Sequence, residues 1–424
     1  MFCSTWEHVL LHQKYVLTAL VRSEISVLPS LKGASFVTNS NNVIQILDTT
    51  LREGEQSPGA ILQTHEKLEI AHQLVRLGVD VIEAGFPISS PGDFNAVQRV
   101  AREVHGPTIS AGARAMKADI DAVWNAIKDA PRKQIHIALS VSDIQIERKL
   151  RSNRKAVLER GIEMVKYARS LFDQVEYTPE DAGRANREYL AETVEKVIEA
   201  GATCVNIPDT TGYCIPSEFG ELVAMLFHAV RNMHDVLVSV HCHNDLGLAT
   251  ANSLVGVLNG ARRIECTING IGERVGIAAL EEVVMLIKTR EQLLRLRTNI
   301  NSHQIAHTSE LVSRLTSIPV QPNKAIVGAS AFAHTSGTHQ DGVLKDRMNY
   351  EIMSPEDIGL TASPLILSSR SGRHAFKHRL HQLGYTIEAE VFNRAYDRFL
   401  ELADKKKQVT DADLVSLIES CTET

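Results

Sequence analysis

The sequence predicts an α/β protein built as a (β/α)8 TIM barrel, followed by small, mainly helical C-terminal subdomains. Three observations predict it. From Val43 to about Arg290 a short β-rich run, an amphipathic helical run and a Gly or polar turn recur eight times, which is the arithmetic of that barrel. No Gly-rich phosphate fingerprint follows the first strand, where a doubly wound open sheet would often carry one. Strand interiors are apolar and strand ends are polar, the register in which a barrel keeps its chemistry.

The strand candidates, in order, are VIQILDTT (43–50), DVIEAGF (80–86), TISAGA (108–113), QIHIALSV (134–141), QVEYTPE (174–180), TCVNIPDT (203–210), VLVSVHCHN (236–244) and RIECTING (263–270). Helical stretches such as HEKLEIAHQLVRLG, FNAVQRVAREV, LAETVEKVIEAG and EFGELVAMLFHAV lie between them, with apolar residues recurring at three and four. An eighth helical run, ALEEVVMLIKTR, follows the last strand. After Arg290 the pattern changes. Residues 302–316 read as a helix, IPVQPNKAIVG as a punctuated linker, and 371–407 as two helices with a basic end. A short helix from Asp411 to Ser420 closes the chain. The domains expected are an N-terminal extension (1–42), the barrel (43–295), a helix, linker and exchanged segment (296–365), and a helical subdomain (366–424).

Composition narrows the function classes. The 424 residues are 44% hydrophobic and 23% charged, ordinary for a globular protein. A net charge of −6 gives no footprint for nucleic acid, and no apolar run is long enough to span a bilayer. Six scattered cysteines fit neither a disulfide framework nor a paired-cysteine zinc site, so they read as small buried residues in a reducing, cytoplasmic compartment. Residues 1–40 are Leu-rich and acid-poor, interrupted by Glu7 and Glu24. We read them as a helix or arm, with an organellar transit peptide as the alternative.

Two constellations carry chemistry. The first strand runs into Asp48, Arg52, Glu53, Glu55 and Gln56. The seventh ends in His241-Cys242-His243, and alternate residues of a strand share a face, so the two imidazoles lie side by side. Two imidazoles with a carboxylate form a divalent-metal site with open positions, suited to Zn, Mn, Co or Mg. Glu53 is the carboxylate we supply, with Asn244, Asp245 or Asn269 as an added oxygen or support. Arg52 beside a metal suggests an anionic or carbonyl substrate, because a planar guanidinium grips a carboxylate or oxyanion. Gln56, Glu83, Arg114 and Ser140 are candidate substrate-binding groups at neighbouring strand ends, and Glu180 and Thr210 could position a hydroxyl or water.

LDTTLREGEQSPG, VIEAGFP, NIPDTTGY, HCHNDLGLATANSL, ECTINGIGERVG, QPNKAIVG, SGTHQDGVLK and YEIMSPEDIG together resemble the 2-isopropylmalate synthases and their homocitrate and citramalate synthase relatives. The resemblance implies a metal-dependent acyltransferase. In such an enzyme a metal-polarised 2-oxo acid is attacked by the enolate of acetyl-CoA, and hydrolysis then releases CoA. It implies that Arg52 stabilises the oxyanion, that Glu53, His241 and His243 bind metal, and that Glu180 and Thr210 line the reaction centre. It also implies that His339 and Tyr350 are delivered from a neighbouring subunit, hence a domain-exchanged homodimer. The longer members carry a leucine-sensing domain beyond the point reached by Thr424, so no leucine feedback through such a domain is expected.

Departures from the family pattern concern the acceptor. Glu53 stands where the usual 2-isopropylmalate synthase has Asp, and Ile277 stands for its asparagine. Both changes resemble the homocitrate synthases. Gly112 and Ala113 lie where bulkier residues are usual, and Gln145 where a His is usual. The expected acceptor is 2-oxoisovalerate. A bulkier acid such as phenylpyruvate comes second on the small residues, and 2-oxoglutarate third. A metal-dependent aldolase or lyase is the reading from another class.

Overall fold

The computed structural model of the protein describes residues 42–361, 367–406 and 409–422. Eight parallel strands close into a barrel in sequence order: β1 (Gln45–Asp48), β2 (Val81–Glu83), β3 (Thr108–Arg114), β4 (Lys133–Ser140), β5 (Val175–Glu180), β6 (Cys204–Asp209), β7 (Leu237–Cys242) and β8 (Arg263–Cys266). Closure is made by β1 against β8, with Gln45 opposite Arg263 and Asp48 opposite Cys266. The expected (β/α)8 fold is therefore the observed one, each predicted strand lying within a few residues of its observed place. The expectations for residues 1–41, Cys3 included, fall outside the described residues.

Local signals set the helices between the strands. The Ser90 hydroxyl accepts from the Asp93 N–H at 3.0 Å, and Pro91 opens Pro91–Glu103, a pre-organised helix start. Asn153 and Asn186 cap Arg154–Arg169 and Arg187–Glu199 in the same way. Gly78 ends Thr64–Leu77 at φ 88°, a left-handed position that costs glycine nothing. The outward faces of the strands and the inward faces of the helices make one core, from Ile46, Ile82 and Ile135 to Leu74, Val100 and Leu226.

Inside the barrel the filling is polar. Arg263, only 4% exposed, donates to Gln45 Oε1 (3.1 Å), Gln134 Oε1 (3.1 Å) and Glu176 Oε2 (3.3 Å). Gln134 Nε2 also donates to Glu176. This self-satisfied layer plugs the bottom of the barrel and leaves the C-terminal mouth for the site.

Beyond the barrel, Ile305–Thr316 packs on Thr64–Leu77, where Gln73 Nε2 donates to Thr308 Oγ1 at 2.9 Å. The linker then leads to Gly337–Lys345. The last three helices, Arg373–Gln382, Ala389–Lys405 and Asp411–Thr422, hold a separate core around Phe376 and Phe399, whose ring centroids are 4.7 Å apart. Five free cysteines (204, 214, 242, 266 and 421) are buried, as expected. Among the described residues no helix is long and apolar enough to cross a membrane.

Candidate active site

The chain turns sharply after β1. The Thr49 carbonyl accepts from the N–H groups of Arg52, Glu53 and Gly54, which wraps this segment over the barrel mouth. Asp48 fixes the turn by accepting from Thr50 N (2.9 Å) and Thr50 Oγ1 (3.0 Å). Burial pushes its carboxyl up to about 7. Arg52 is thereby aimed across the mouth, donating from Nε to Glu83 Oε2 at 2.7 Å and from Nη1 to Glu53 Oε2 at 2.5 Å.

β7 brings the imidazoles. His241 and His243 point inward, and the intervening Cys242 is fully buried. The two Nε2 atoms stand 3.4 Å apart, with Glu53 Oε1 4.0 Å from that of His243. The three donor groups lie within 4.8 Å of one another. Burial lowers His241 to about 4 and His243 to about 3, so both rings are neutral near pH 7 and offer lone pairs. Glu265 on β8 accepts from His241 Nδ1 at 2.8 Å, and this fixes the tautomer whose Nε2 is free for a metal. Buried His243 Nδ1 has no hydrogen-bond partner among the described residues. These residues fit a divalent cation. Glu53 reaches the face because Gly272 leaves room: a Cβ there would meet Glu53 Oε1 at 3.1 Å. Glu53 Oε1 also accepts from the Glu273 N–H at 3.0 Å. Burial opposes its charge, but Arg52 and the neighbouring imidazoles keep the carboxyl below its usual range.

A second buried group, His136 with Glu176 and Glu265, has the composition of a metal site but not free donors. His136 Nδ1 is spent on Glu83 Oε1 (2.8 Å) and Nε2 on Thr178 Oγ1 (2.6 Å). Burial opposes charge on His136, and the Glu83 carboxylate outweighs it, raising the ring to about 9. Burial likewise works against the Glu83 charge, and Arg52 and His136 outweigh it, holding this carboxyl far below the ordinary range.

A cavity of about 290 Å³ opens over these groups. It brings together Arg52, Glu53, Gln56, Glu83, Glu180, Thr210, His241 and His243, eight of the residues singled out from sequence. Glu180 takes an ion pair from Lys149 at 2.6 Å, and Thr210 Oγ1 accepts from the Asp181 N–H at 2.9 Å. Ser140 lies beneath the wall and donates to Glu180 Oε2 at 3.1 Å, so it supports that carboxylate instead of facing the cavity.

Three groups of expected residues lie away from this cavity or its donor face. Arg114 is not in the cavity: its guanidinium is 62% exposed and held by Asp119 at 2.7 Å. Asn244, Asp245 and Asn269 do not join the donor face, being engaged by Ala249 N, Arg274 and Ser309. His339 and Tyr350 stack on each other at 4.3 Å, and neither lines the cavity of its own chain. Tyr350 borders a separate cavity of about 310 Å³ in the post-barrel segment. Sequence reasoning missed His136, Thr178 and Glu265. The signal was present as polar residues alternating with apolar ones on the strands QIHIAL, VEYTPE and RIEC.

Comparison with known proteins agrees with this architecture. Residues 43–312 match the HMGL-like family, and residues 326–407 match the homocitrate synthase post-HMGL domain-like family. Proteins named 2-isopropylmalate synthase are similar over most of the chain. That of Pelotomaculum thermopropionicum is 53% identical over 376 residues, covering 89% of this chain and 74% of its own. That of Pyrococcus furiosus is 53% identical over 376 residues, covering 89% and 75%. Among solved structures, hydroxymethylglutaryl-CoA lyase from Pseudomonas aeruginosa superposes with a TM-score of 0.57 at 19% identity, covering 66% of this chain and 95% of the lyase. The Brucella melitensis HMG-CoA lyase gives a TM-score of 0.54 at 17% identity, covering 65% and 99%. At these identities the two structures speak for the shared barrel alone.

Proposed function

The chain belongs to the HMGL-like family and, within it, to the 2-isopropylmalate synthase group of acyltransferases, and from that premise we propose that it condenses acetyl-CoA with a 2-oxo acid and releases CoA. The observation that carries the reading is the donor face itself. Glu53, His241 and His243 meet at the mouth of the barrel, and Arg52 donates to the first of them. A divalent cation held there would polarise the carbonyl of a chelating 2-oxo acid.

The chain's own residues account for the rest. Arg52, clamped by Glu53 and Glu83, presents a fixed cation where negative charge develops on the carbonyl oxygen. Glu180 and Thr210 form the opposite lip and orient polar substrate groups. His339 and Tyr350, coming from the post-barrel segment of a neighbouring subunit, would complete the site for removal of the methyl proton. The resulting enolate carbon bonds to the acceptor carbonyl carbon, whose oxygen takes up a proton. Water then cleaves the thioester, giving CoA and a 2-substituted malate. The same reading takes the working enzyme as a cytoplasmic, domain-exchanged homodimer.

The relatives' name makes 2-oxoisovalerate one acceptor to try, with 2-isopropylmalate as its product. A metal-dependent aldolase or lyase is the competing class, but it would leave the segment matching the homocitrate synthase post-HMGL domain without a role. Thiol release from acetyl-CoA with 2-oxoisovalerate and Mg, Mn, Co or Zn separates the two. Release dependent on both acceptor and metal supports the condensation. Acetyl-CoA left intact with every 2-oxo acid tried would overturn it.

A further inference from the structure

The wall facing the donor groups contains three small residues. In a closed eight-strand barrel β3 lies diametrically across from β7, so an acceptor whose oxygens sit at Glu53, His241 and His243 extends its side chain toward β3 and β4. The cavity residues there are Gly112 and Ala113 on β3 and His136 and Ala138 on β4. Apart from His136, whose ring is held by Glu83 and Thr178, none carries more than a methyl group. Phe86, at the end of β2, completes an apolar surface with Pro208. Its ring rests directly on the Gly112 backbone, because a Cβ at Gly112 would come within 2.7 Å of Phe86 Cδ2. Glycine thus makes room for the Phe86 ring at the cavity wall.

Charge decides what kind of side chain the slot takes. Among the described residues, each cation at or near it already holds a carboxylate: Arg52 has Glu53 and Glu83, His136 has Glu83, Arg274 has Asp245, and Lys149 has Glu180. Arg114, the cation at the end of β3, is turned outward to Asp119. A distal carboxylate such as that of 2-oxoglutarate would find no uncommitted partner among these groups.

We infer that the acceptor is a 2-oxo acid with a large, apolar, aromatic side chain, whose ring lies against Phe86 and the methyl group of Ala138. The inference rests on the proposed condensation and adds the substrate class. One methylene more or less in an apolar pocket changes kcat/KM by roughly 10–200-fold, so a slot of this size discriminates against isopropyl by at least about tenfold.

The test is thiol release from acetyl-CoA by the metal-loaded, full-length protein, with phenylpyruvate, 2-oxoisovalerate, 2-oxoglutarate and pyruvate compared by kcat/KM. Phenylpyruvate is expected to lead. Ala138→Phe, filling the slot, is expected to lower the phenylpyruvate to 2-oxoisovalerate ratio by about 100-fold, and the smaller Ala138→Leu by about tenfold. Ala138→Leu serves where far-UV dichroism shows that Ala138→Phe does not fold. A lead by any other acceptor, or an unchanged ratio in a folded variant, would overturn the inference while leaving the condensation standing. No release with any acceptor would overturn the condensation itself, and the inference with it.

Discussion

Two histidines inside the same barrel show how little residue identity decides. His136 on β4 and His241 on β7 are both 6% exposed, and each has Nδ1 at 2.8 Å from a fully buried glutamate. Yet His136 is raised to about 9 and His241 lowered to about 4. The difference lies in what each glutamate meets next. Glu83 also receives Arg52 Nε at 2.7 Å and Thr49 Oγ1 at 2.6 Å, so it stays ionised and holds the proton on His136. Glu265 has Ser239 Oγ at 3.5 Å as its other hydrogen-bond partner, and burial raises its carboxyl. His241 therefore keeps a single N–H, turned to Glu265, and a lone pair turned to the cavity. One imidazole is held as a cation and the other is left as a candidate ligand.

Breaking the contrast where charge develops has the largest expected effect. Arg52→Gln removes the donor shared by Glu53 and Glu83, and kcat for thiol release is expected to fall about 10²–10³-fold, measured with metal saturating. Next comes His136→Gln. It leaves Glu83 with one charged partner fewer in a buried setting, which costs about 3 kcal/mol in urea unfolding and leaves metal stoichiometry unchanged. Glu265→Gln keeps the shape but loosens the hold on the tautomer of His241. Metal affinity, read by competition with a chelator, is expected to weaken by about 10–100-fold.

The smallest effects are on pH dependence, and they have opposite signs. The His241 pKa is below its unfolded value, so the metal-free protein loses stability as pH falls from about 6.5 toward about 4. The His136 pKa is above its unfolded value, so its contribution is present at neutral pH and lost as pH rises through about 9. Thermal melting across that range checks both limbs. His136→Gln should remove the alkaline limb, and a His241→Ala variant should reduce the acid one.

Sequence carried the barrel and half of this contrast. Period-two alternation alone places His241 and His243 on one face, and the cluster after β1 marks Arg52 and Glu53 as strand-end chemistry. The charged partner was not legible in the same way. His136, Glu176 and Glu265 alternate with apolar residues on short strands, and closure of the barrel is what turns their shared inward face into a polar interior. Arg114 misled for a related reason. β3 runs one residue past the cavity wall, and Asp119 in the first turn of Lys117–Ile127 takes the guanidinium at the rim. The open slot was half visible in Gly112 and Ala113, but Ala138 joined it only once β4 lay beside β3.

The most direct measurement is a Co²⁺ titration of the metal-free wild-type, His241→Ala and His136→Gln proteins, followed by visible absorption. One ion per chain in the wild type and in His136→Gln, with none in His241→Ala, is the predicted result. An ion retained by His241→Ala and lost by His136→Gln would contradict the account, because it would place the metal on the cluster whose donors are already spent.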